Sequence, residues 1–150
     1  MTVNVETASI TDLDKLCSIE KECFIKEAFT RRQLLHVLAD YNSLTLVAKE
    51  KGRVVGFVMG TVQAEGGPLT AHILTIDVSP QYRRRGIALR LSSEVERIFV
   101  ERGVKTCFLE VREDNTEALN LYRKIGYKNI GQLRNYYGDA HGLQLRKDLL

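Results

Sequence analysis

The chain has 150 residues, of which 44% are hydrophobic and 27% are charged, and its formal net charge is +3. This size and balance are typical of one soluble globular domain, so we expect residues 1–150 to form a single domain. No apolar run approaches the ~20 residues of a membrane span, and the N-terminus lacks the basic start and apolar core of a signal peptide. We therefore expect a cytoplasmic protein without membrane partners.

The first part of the chain predicts one strand followed by two helices. Residues 3–7 alternate as a short strand does, and Thr11 with Asp14 three residues on is close to a capping box. The helix that follows should run to about Cys23, where the helical spacing of apolar residues ends. Thr30, with a glutamine three positions on, predicts the start of a second helix, whose inward-facing leucines are Leu34, Leu35 and Leu38.

Strands dominate the middle of the sequence. Residues 43–49 and 53–62 are β-rich, and the three-residue turn between them is short enough to force an antiparallel hairpin. After a polar Gly-Gly-Pro loop, residues 71–78 form the central strand. A basic turn then leads into a helical pattern that ends at Gly103, a glycine in the position expected just beyond a helix.

The last part of the chain predicts a strand at residues 105–111, a short helix at 116–124, and two closing strands at 127–133 and 143–146. An Asp-Asn pair precedes the short helix and supplies its cap. Taken together, the elements predict an α/β sandwich, a mixed sheet with helices on both faces.

The basic turn after the central strand is the most informative stretch. Because it opens a helix, free backbone N–H groups and the positive end of the helix dipole face the turn. Gly86 and Ala88 let the backbone approach a ligand closely, and the guanidinium groups of Arg83, Arg84 and Arg85 suit phosphate oxygens. These features predict a site for a pyrophosphate. Neither G-x-x-x-x-G-K-[ST] nor G-x-G-x-x-G occurs, which argues against a nucleotide hydrolase or a dinucleotide enzyme.

Much of the positive charge lies in this turn and at Arg90 of the following helix. Nucleic-acid binders usually spread lysine and arginine over a face, so a local cluster favours a small polyanion and no direct contact with nucleic acid. The three histidines are too scattered in sequence for a metal site, and we predict no metal. The cysteines form no C-x-x-C pair, which favours reduced thiols at Cys17, Cys23 and Cys107.

Two segments together resemble the GNAT acetyltransferase superfamily. Residues 83–88 (Arg-Arg-Arg-Gly-Ile-Ala) match its [QR]-x-x-G-x-[GA] signature, and residues 109–127 run from Leu-Glu-Val-Arg through Asn115 to Leu-Tyr-Arg-Lys-Ile-Gly-Tyr. The pair is similar to protein N-terminal acetyltransferases of the ribosomal-protein-alanine (RimI) type and their archaeal relatives, over most of the chain. The resemblance implies the GNAT fold, a mixed and largely antiparallel sheet of about seven strands with about four helices on its two faces, and acetyl-CoA as cosubstrate.

The resemblance also implies where acetyl-CoA binds. Its pyrophosphate would lie on the basic turn, and backbone N–H groups at the end of the central strand would bind the acetyl carbonyl and the pantetheine arm. Asn115 matches the family's cofactor-contacting asparagine, although it could equally be only a helix cap, and the side chain of Asp77 could simply point to solvent. The predicted cofactor-binding residues are Ile76, Asp77, Val78, Arg83, Arg84, Arg85, Gly86, Ile87, Ala88, Asn115 and Tyr122.

Three residues are candidates for the catalytic chemistry. Tyr122 matches the family's tyrosine beside the cofactor sulfur, where a phenol can act as general acid; the alternative is a core tyrosine. Glu110 lies in an apolar strand and matches the RimI-type glutamate base; the alternatives are an ion pair with Arg112 or a solvent-facing edge. His72 lies where related enzymes place a histidine or tyrosine that holds a catalytic water; the alternative is a structural histidine.

The resemblance implies two walls around the first residues of a peptide. Glu27 and Phe29 lie between the first two helices, and Tyr136 and Tyr137 lie in the last loop; exposed loops with an aromatic staple are the alternative. Relatives carry D-G-E-D-A after the paired tyrosines, whereas this chain has Gly-Asp-Ala-His-Gly at 138–142. The resemblance therefore implies the fold and the cofactor more strongly than the peptide preference.

The implied activity is acetylation of the N-terminal α-amino group of proteins, ribosomal proteins among them, by direct attack in a ternary complex. An α-amino group, with an ordinary pKa near ~8 against ~10.4 for lysine, needs only a modest base. We expect a monomer or weak homodimer. Two alternatives stay open: an acetyltransferase for lysine or a small amine such as a polyamine, and a non-catalytic acetyl-CoA-binding regulatory module, which could dispense with Tyr122 and Glu110.

Overall fold

The structure is a computed structural model that describes residues 2–24 and 26–149. Within these residues seven strands occur: β1 (Asn4–Thr7), β2 (Ser43–Glu50), β3 (Arg53–Gln63), β4 (Thr70–Val78), β5 (Thr106–Arg112), β6 (Lys128–Leu133) and β7 (Gly142–Asp148). The four α-helices are α1 (Leu13–Cys23), α2 (Arg31–Ala39), α3 (Ile87–Glu101) and α4 (Thr116–Lys124). None of the helices described is both long and apolar enough to cross a membrane.

Side chains at the helix starts explain where α1 and α2 begin. Thr30 caps α2 as predicted, with its hydroxyl accepting the backbone N–H of Gln33 at 3.2 Å. The Thr11 cap for α1 was wrong, because a short 3-10 turn precedes the helix and Asp12 accepts the N–H of Ser9 at 2.9 Å. The inward position of Leu35 was also wrong, since this residue is 39% exposed.

All strands join one sheet in the order β1-β2-β3-β4-β5-β7-β6. Neighbouring strands are antiparallel except for β4 and β5, which are parallel. One apolar core packs α1 and α2 on one face, and a second, larger core packs α3 and α4 on the other. The predicted mixed, largely antiparallel sheet with helices on both faces is therefore confirmed.

The parallel pair β4–β5 is short. Only Thr70–His72 and Thr106–Phe108 are paired, although both strands continue well beyond these residues. The two strands part after His72, so the far end of β4 lacks β5 as a neighbour. Main-chain N–H and C=O groups on that edge are available to a ligand, because backbone polar groups need partners. The sheet thus opens into a cleft between its two halves.

A bulge in β4 sets which side chains face which helices. Met59 of β3 pairs with Thr75 and Gly60 pairs with Ile73, so Leu74 is an extra residue. Ile73 packs in the core under α3, whereas Thr75 contacts α1 on the opposite face. Asp77 follows Thr75 to the α1 face and is 1% exposed. The alternative that its side chain simply points to solvent was therefore wrong.

Gly60 is a position where the fold leaves no room for a side chain. A Cβ there would lie 2.8 Å from Cζ of Phe99 and 3.1 Å from the backbone oxygen of His72. We expect Gly60→Ala to lower the free energy of unfolding by about 1–3 kcal/mol through overpacking, measured by urea denaturation. The control is Gly67→Ala in an exposed loop, where a Cβ would have nothing within 4 Å. Equal effects at the two positions would contradict this account.

Candidate active site

The start of α3 is an open helix N-terminus next to the cleft. Its N-cap is Gly86, with φ of 78°, a left-handed conformation that favours glycine. Because glycine has no side chain to act as a cap, the first N–H groups of α3 stay available to a ligand. A Cβ at Gly86 would have nothing within 4 Å, so the turn is also open around this residue. This geometry fits the pyrophosphate of acetyl-CoA.

The arginines of the basic turn have different surroundings. Arg83 donates through Nε to the backbone oxygen of Val78 at 3.1 Å and so holds the turn against the end of β4. Arg85 lies 3.8 Å from Glu50 and 5.1 Å above the ring of Tyr82. Arg84 is exposed. The side chains of Arg83 and Arg85 thus stabilise the loop that supplies the N–H groups.

Arg90, which the sequence grouped with the basic turn, has another role. Its guanidinium donates to the backbone oxygen of Val3, beside β1. This contact ties the first turn of α3 to the edge of the sheet. The guanidinium of Arg90 is therefore used by the fold.

His72 and Glu110 lie together where β4 and β5 part. His72 pairs with Phe108 in the parallel register, and Glu110 follows two residues later on the same face of β5. His72 Nε2 is 2.6 Å from Glu110 Oε1, and the two side chains are 27% and 16% exposed. The suggested ion pair of Glu110 with Arg112 was wrong, because Arg112 binds other carboxylates. A half-buried imidazole–carboxylate pair can hold and move a proton.

Tyr122 lies on α4 and packs in the core under α3. It is 9% exposed, and its ring meets that of Tyr127 edge to face, with centroids 5.9 Å apart. Burial raises the pKa of the Tyr122 hydroxyl, and the charge of Asp77 adds to this. The phenol therefore keeps its proton at neutral pH, as a general acid must before it donates. Its burial also matches the alternative of a core tyrosine.

Asn115 is the N-cap of α4. Its Oδ1 accepts the backbone N–H of Ala118 at 3.1 Å, which accounts for an asparagine at this position. The helix cap is thus established, and a contact with acetyl-CoA stays a prediction. The same holds for the main chain of Ile76, Asp77 and Val78, which lies along the open edge of β4.

One arginine joins the two loops that were predicted to form the peptide walls. Arg112, at the end of β5, contacts Glu27 of the α1–α2 loop and lies 3.0 Å from Asp139 of the β6–β7 loop. Its guanidinium also lies 5.6 Å from the centroid of the Tyr137 ring. Lys26 adds a second link to Asp139 at 3.0 Å. These contacts lower the pKa of the Asp139 carboxyl well below its usual range.

The other wall residues differ in exposure. Tyr136 is 54% exposed and meets Tyr137 edge to face at 4.9 Å, so an aromatic pair lines the β6–β7 loop. Phe29 is half-buried and packs against the core between α1 and the sheet. The sequence did not point to Arg112 as the link between these loops, because Glu27 is 85 residues away from it and Asp139 is 27 residues away. Only the sheet brings the three groups together.

Comparison with known proteins places this geometry in a family. The model of the acetyltransferase (GNAT) family matches residues 13–127. An N-alpha-acetyltransferase of Sulfurisphaera tokodaii is 30% identical, over 94% of this chain and 89% of its own. The N-alpha-acetyltransferase RimI of Mycobacterium tuberculosis is 31% identical, over 99% and 97%. The crystal structure of Ard1 from Thermoplasma volcanium superimposes with a TM-score of 0.90 and 25% identity, over 100% of this chain and 99% of that one.

The chain belongs to the GNAT acetyltransferase family. It is an N-acetyltransferase, and acetyl-CoA is its cosubstrate. The relatives named N-alpha-acetyltransferase support N-terminal acetylation of proteins as its activity. Across residues 2–24 and 26–149, no group of three or more His, Cys, Asp and Glu side chains is arranged to hold a metal ion.

Proposed function

We propose that this enzyme acetylates protein N-termini by direct attack of the α-amino group in a ternary complex. Glu110 and His72 together act as the general base, and Tyr122 acts as the general acid. The observation that carries the proposal is the 2.6 Å contact between His72 and Glu110 at the mouth of the β4–β5 cleft. An N-terminal amine has to lose a proton before or during attack, and this pair is built to accept it.

The proton path needs only a modest base. A free α-amino group has an ordinary pKa near ~8, so a sizeable fraction is neutral at physiological pH. Glu110 takes the proton directly or through water, and His72 orients the carboxylate by its hydrogen bond. Because both side chains are partly exposed, an amine that enters from the peptide side can reach them.

Acetyl-CoA would supply the acetyl group, and coenzyme A would leave as the thiolate. The main chain of Ile76 to Val78 would bind the acetyl carbonyl, and the N–H groups at Gly86 to Ala88 would bind the pyrophosphate. Tyr122 then donates its proton toward the leaving sulfur. A covalent acetyl-cysteine is not part of this scheme, because burial raises the pKa of the Cys107 thiol to about 11.

The peptide would bind between the two walls that Arg112 joins. Tyr136, Tyr137 and Phe29 offer aromatic surface for the first side chains of the peptide. The main chain of a peptide bound between the walls would lie near Glu110. Glu27 and Asp139 are matched by Arg112 and Lys26, so these carboxylates do not form the anionic cluster that would favour a polyamine. We propose protein N-termini, those of ribosomal proteins among them, as substrates for a monomer or weak homodimer in the cytoplasm.

The test incubates the enzyme and acetyl-CoA with a panel of peptides and measures their acetylation by mass spectrometry. The panel contains Ala-, Ser- and Met-starting peptides with internal lysines, the same peptides with blocked N-termini, and spermidine. Acetyl groups on free N-termini alone are the expected result. Acetylation of lysines in blocked peptides, or of spermidine, would overturn the substrate assignment. Binding of acetyl-CoA without transfer to any acceptor would instead indicate a non-catalytic module.

A further inference from the structure

A buried polar cluster lies on the face of β4 that meets α1. Glu20 of α1 and Asp77 of β4 are each 1% exposed, and Thr75 is 6% exposed. The Thr75 hydroxyl lies 3.4 Å from Glu20 Oε1 and contacts Asp77 Oδ1 directly. Two carboxyl groups buried this close together are costly unless hydrogen bonds or protons compensate them.

Counting hydrogen bonds shows where a proton belongs. A threonine hydroxyl has one proton and donates it to one oxygen. Glu20 Oε2 accepts the backbone N–H of Phe29 at 3.0 Å, whereas Asp77 Oδ2 is buried and has no hydrogen-bond partner among the described groups. If both carboxyls were ionised, their oxygens would face each other without a donor. Since Glu20 Oε2 accepts a backbone N–H whereas Asp77 Oδ2 accepts none from the described groups, Asp77 is the group placed to carry the proton.

The surroundings of Asp77 agree with this assignment. The charged and titratable groups that face it are Glu20 and Cys23 of α1, Arg83 of the basic turn and Tyr122 of α4. Burial raises the pKa of Asp77 well above its usual range, the Glu20 carboxyl raises it further, and Arg83 opposes this to a smaller extent. Burial also raises the pKa of Cys23 and that of Tyr122.

We propose that Asp77 is a positioning residue for acetyl transfer: its protonated carboxyl binds Glu20, and Glu20 in turn holds the Phe29 backbone in the α1–α2 loop. The inference rests on the proposed function, because Phe29 belongs to the predicted peptide wall. β4 carries the main chain assigned to the acetyl group, so the cluster fixes the peptide wall relative to the acetyl site. Ionisation of Asp77 would put two negative charges together and break this link.

The sign of the pH effect follows from proton binding. A carboxyl with a raised pKa holds its proton more tightly in the folded protein than in the unfolded chain. The free energy of unfolding therefore falls as pH rises from the ordinary aspartate pKa of ~3.9 to the raised one. Asparagine stays uncharged, and like protonated aspartate it can donate to Glu20 and accept from Thr75. Asp77→Asn should thus remove this fall, whereas Asp77→Ala also removes the hydrogen bonds.

The experiment measures KM for an N-terminal peptide and for acetyl-CoA from about pH 6 to about pH 9. We expect Asp77→Ala to raise the peptide KM by about tenfold and the acetyl-CoA KM by less than about twofold. Asp77→Asn, which mimics the protonated carboxyl, should keep the peptide KM within about twofold of the wild type. Any rise of the wild-type peptide KM with pH that comes from ionisation at residue 77 should be absent from this variant. The control is Asp12→Asn, at another buried carboxyl, which binds Ser9 and lies 3.5 Å from Lys49; it should leave both KM values unchanged.

A rise of about tenfold in the peptide KM of Asp77→Asn would overturn the proposal, as would an equal rise of both KM values in Asp77→Ala. If Asp77→Ala fails to fold, the peptide KM of Asp77→Asn still decides. If the wild type acetylates no N-terminal peptide, the proposed function fails instead. In that case urea denaturation of wild type and Asp77→Asn across the same pH range tests the proton assignment without any catalysis.

Discussion

Replacing Tyr122 with phenylalanine is expected to lower kcat by about 10²–10³-fold while acetyl-CoA still binds. The substitution removes one hydroxyl and keeps the ring, so the edge-to-face contact with Tyr127 and the packing under α3 remain. Without the phenol, the departing thiolate has to take its proton from water. The check is a single-turnover acetylation rate by mass spectrometry, with acetyl-CoA binding measured by calorimetry.

Tyr127→Phe is the matched control for this experiment. Tyr127 is also buried, at 4% exposure, and burial raises its pKa above the usual range, but no role in the reaction is assigned to it. Its loss should change stability and should alter kcat by less than about threefold. If both substitutions lowered kcat equally, the effect would come from the core and Tyr122 would not be the acid.

The second large effect is expected at Glu110. Glu110→Gln keeps the shape of the side chain and can still hydrogen-bond to His72, but an amide cannot accept the proton of the amine. We expect kcat/KM for an N-terminal peptide to fall by about 10²-fold or more at neutral pH. If His72 and Glu110 act as one unit, as proposed, the double variant with His72→Gln should cost little more than the worse single variant. Steady-state kinetics of the three variants provide the measurement.

Glu113→Gln serves as the control for Glu110, because Glu113 follows the same strand, is exposed and contacts Gln132 at 2.8 Å. It should leave kcat/KM within about twofold of the wild type. Additive losses in the His72 and Glu110 variants would contradict a shared proton site. They would indicate two separate functions, for example proton transfer at one residue and peptide binding at the other.

The sequence predicted the fold well because local signals and periodicity agree over most of the chain. Thr30 capped α2, the hairpin of β2 and β3 formed, and the glycine after α3 lies in the left-handed region with φ of 89°. The inward position predicted for Leu35 was wrong because the sequence of a helix this short gives no sharp boundary between its buried and exposed faces. The ends of β5, β6 and β7 differ from the predicted bounds by at most two residues.

Side-chain partners were harder to predict than elements. The His72–Glu110 contact depends on the parallel register of β4 and β5, and no local pattern encodes a pairing across 38 residues. The buried position of Asp77 depends on the bulge at Leu74, which shifts the alternation of the strand by one residue. A strand read by strict alternation puts Asp77 on the wrong face, so the Glu20 cluster could not be anticipated.

The extra residue in β4 also bears on how the length of this chain can change. A chain that lacked Leu74 would keep Ile73 under α3 and Thr75 against α1. In such a chain the two residues would be adjacent in a regular strand, and adjacent residues of a strand point to opposite faces. Its core would have the same composition apart from one leucine. Its main chain would run straighter, and the open edge would meet β5 at another angle. The direction of the open edge thus depends on the number of residues in one strand as well as on their identity.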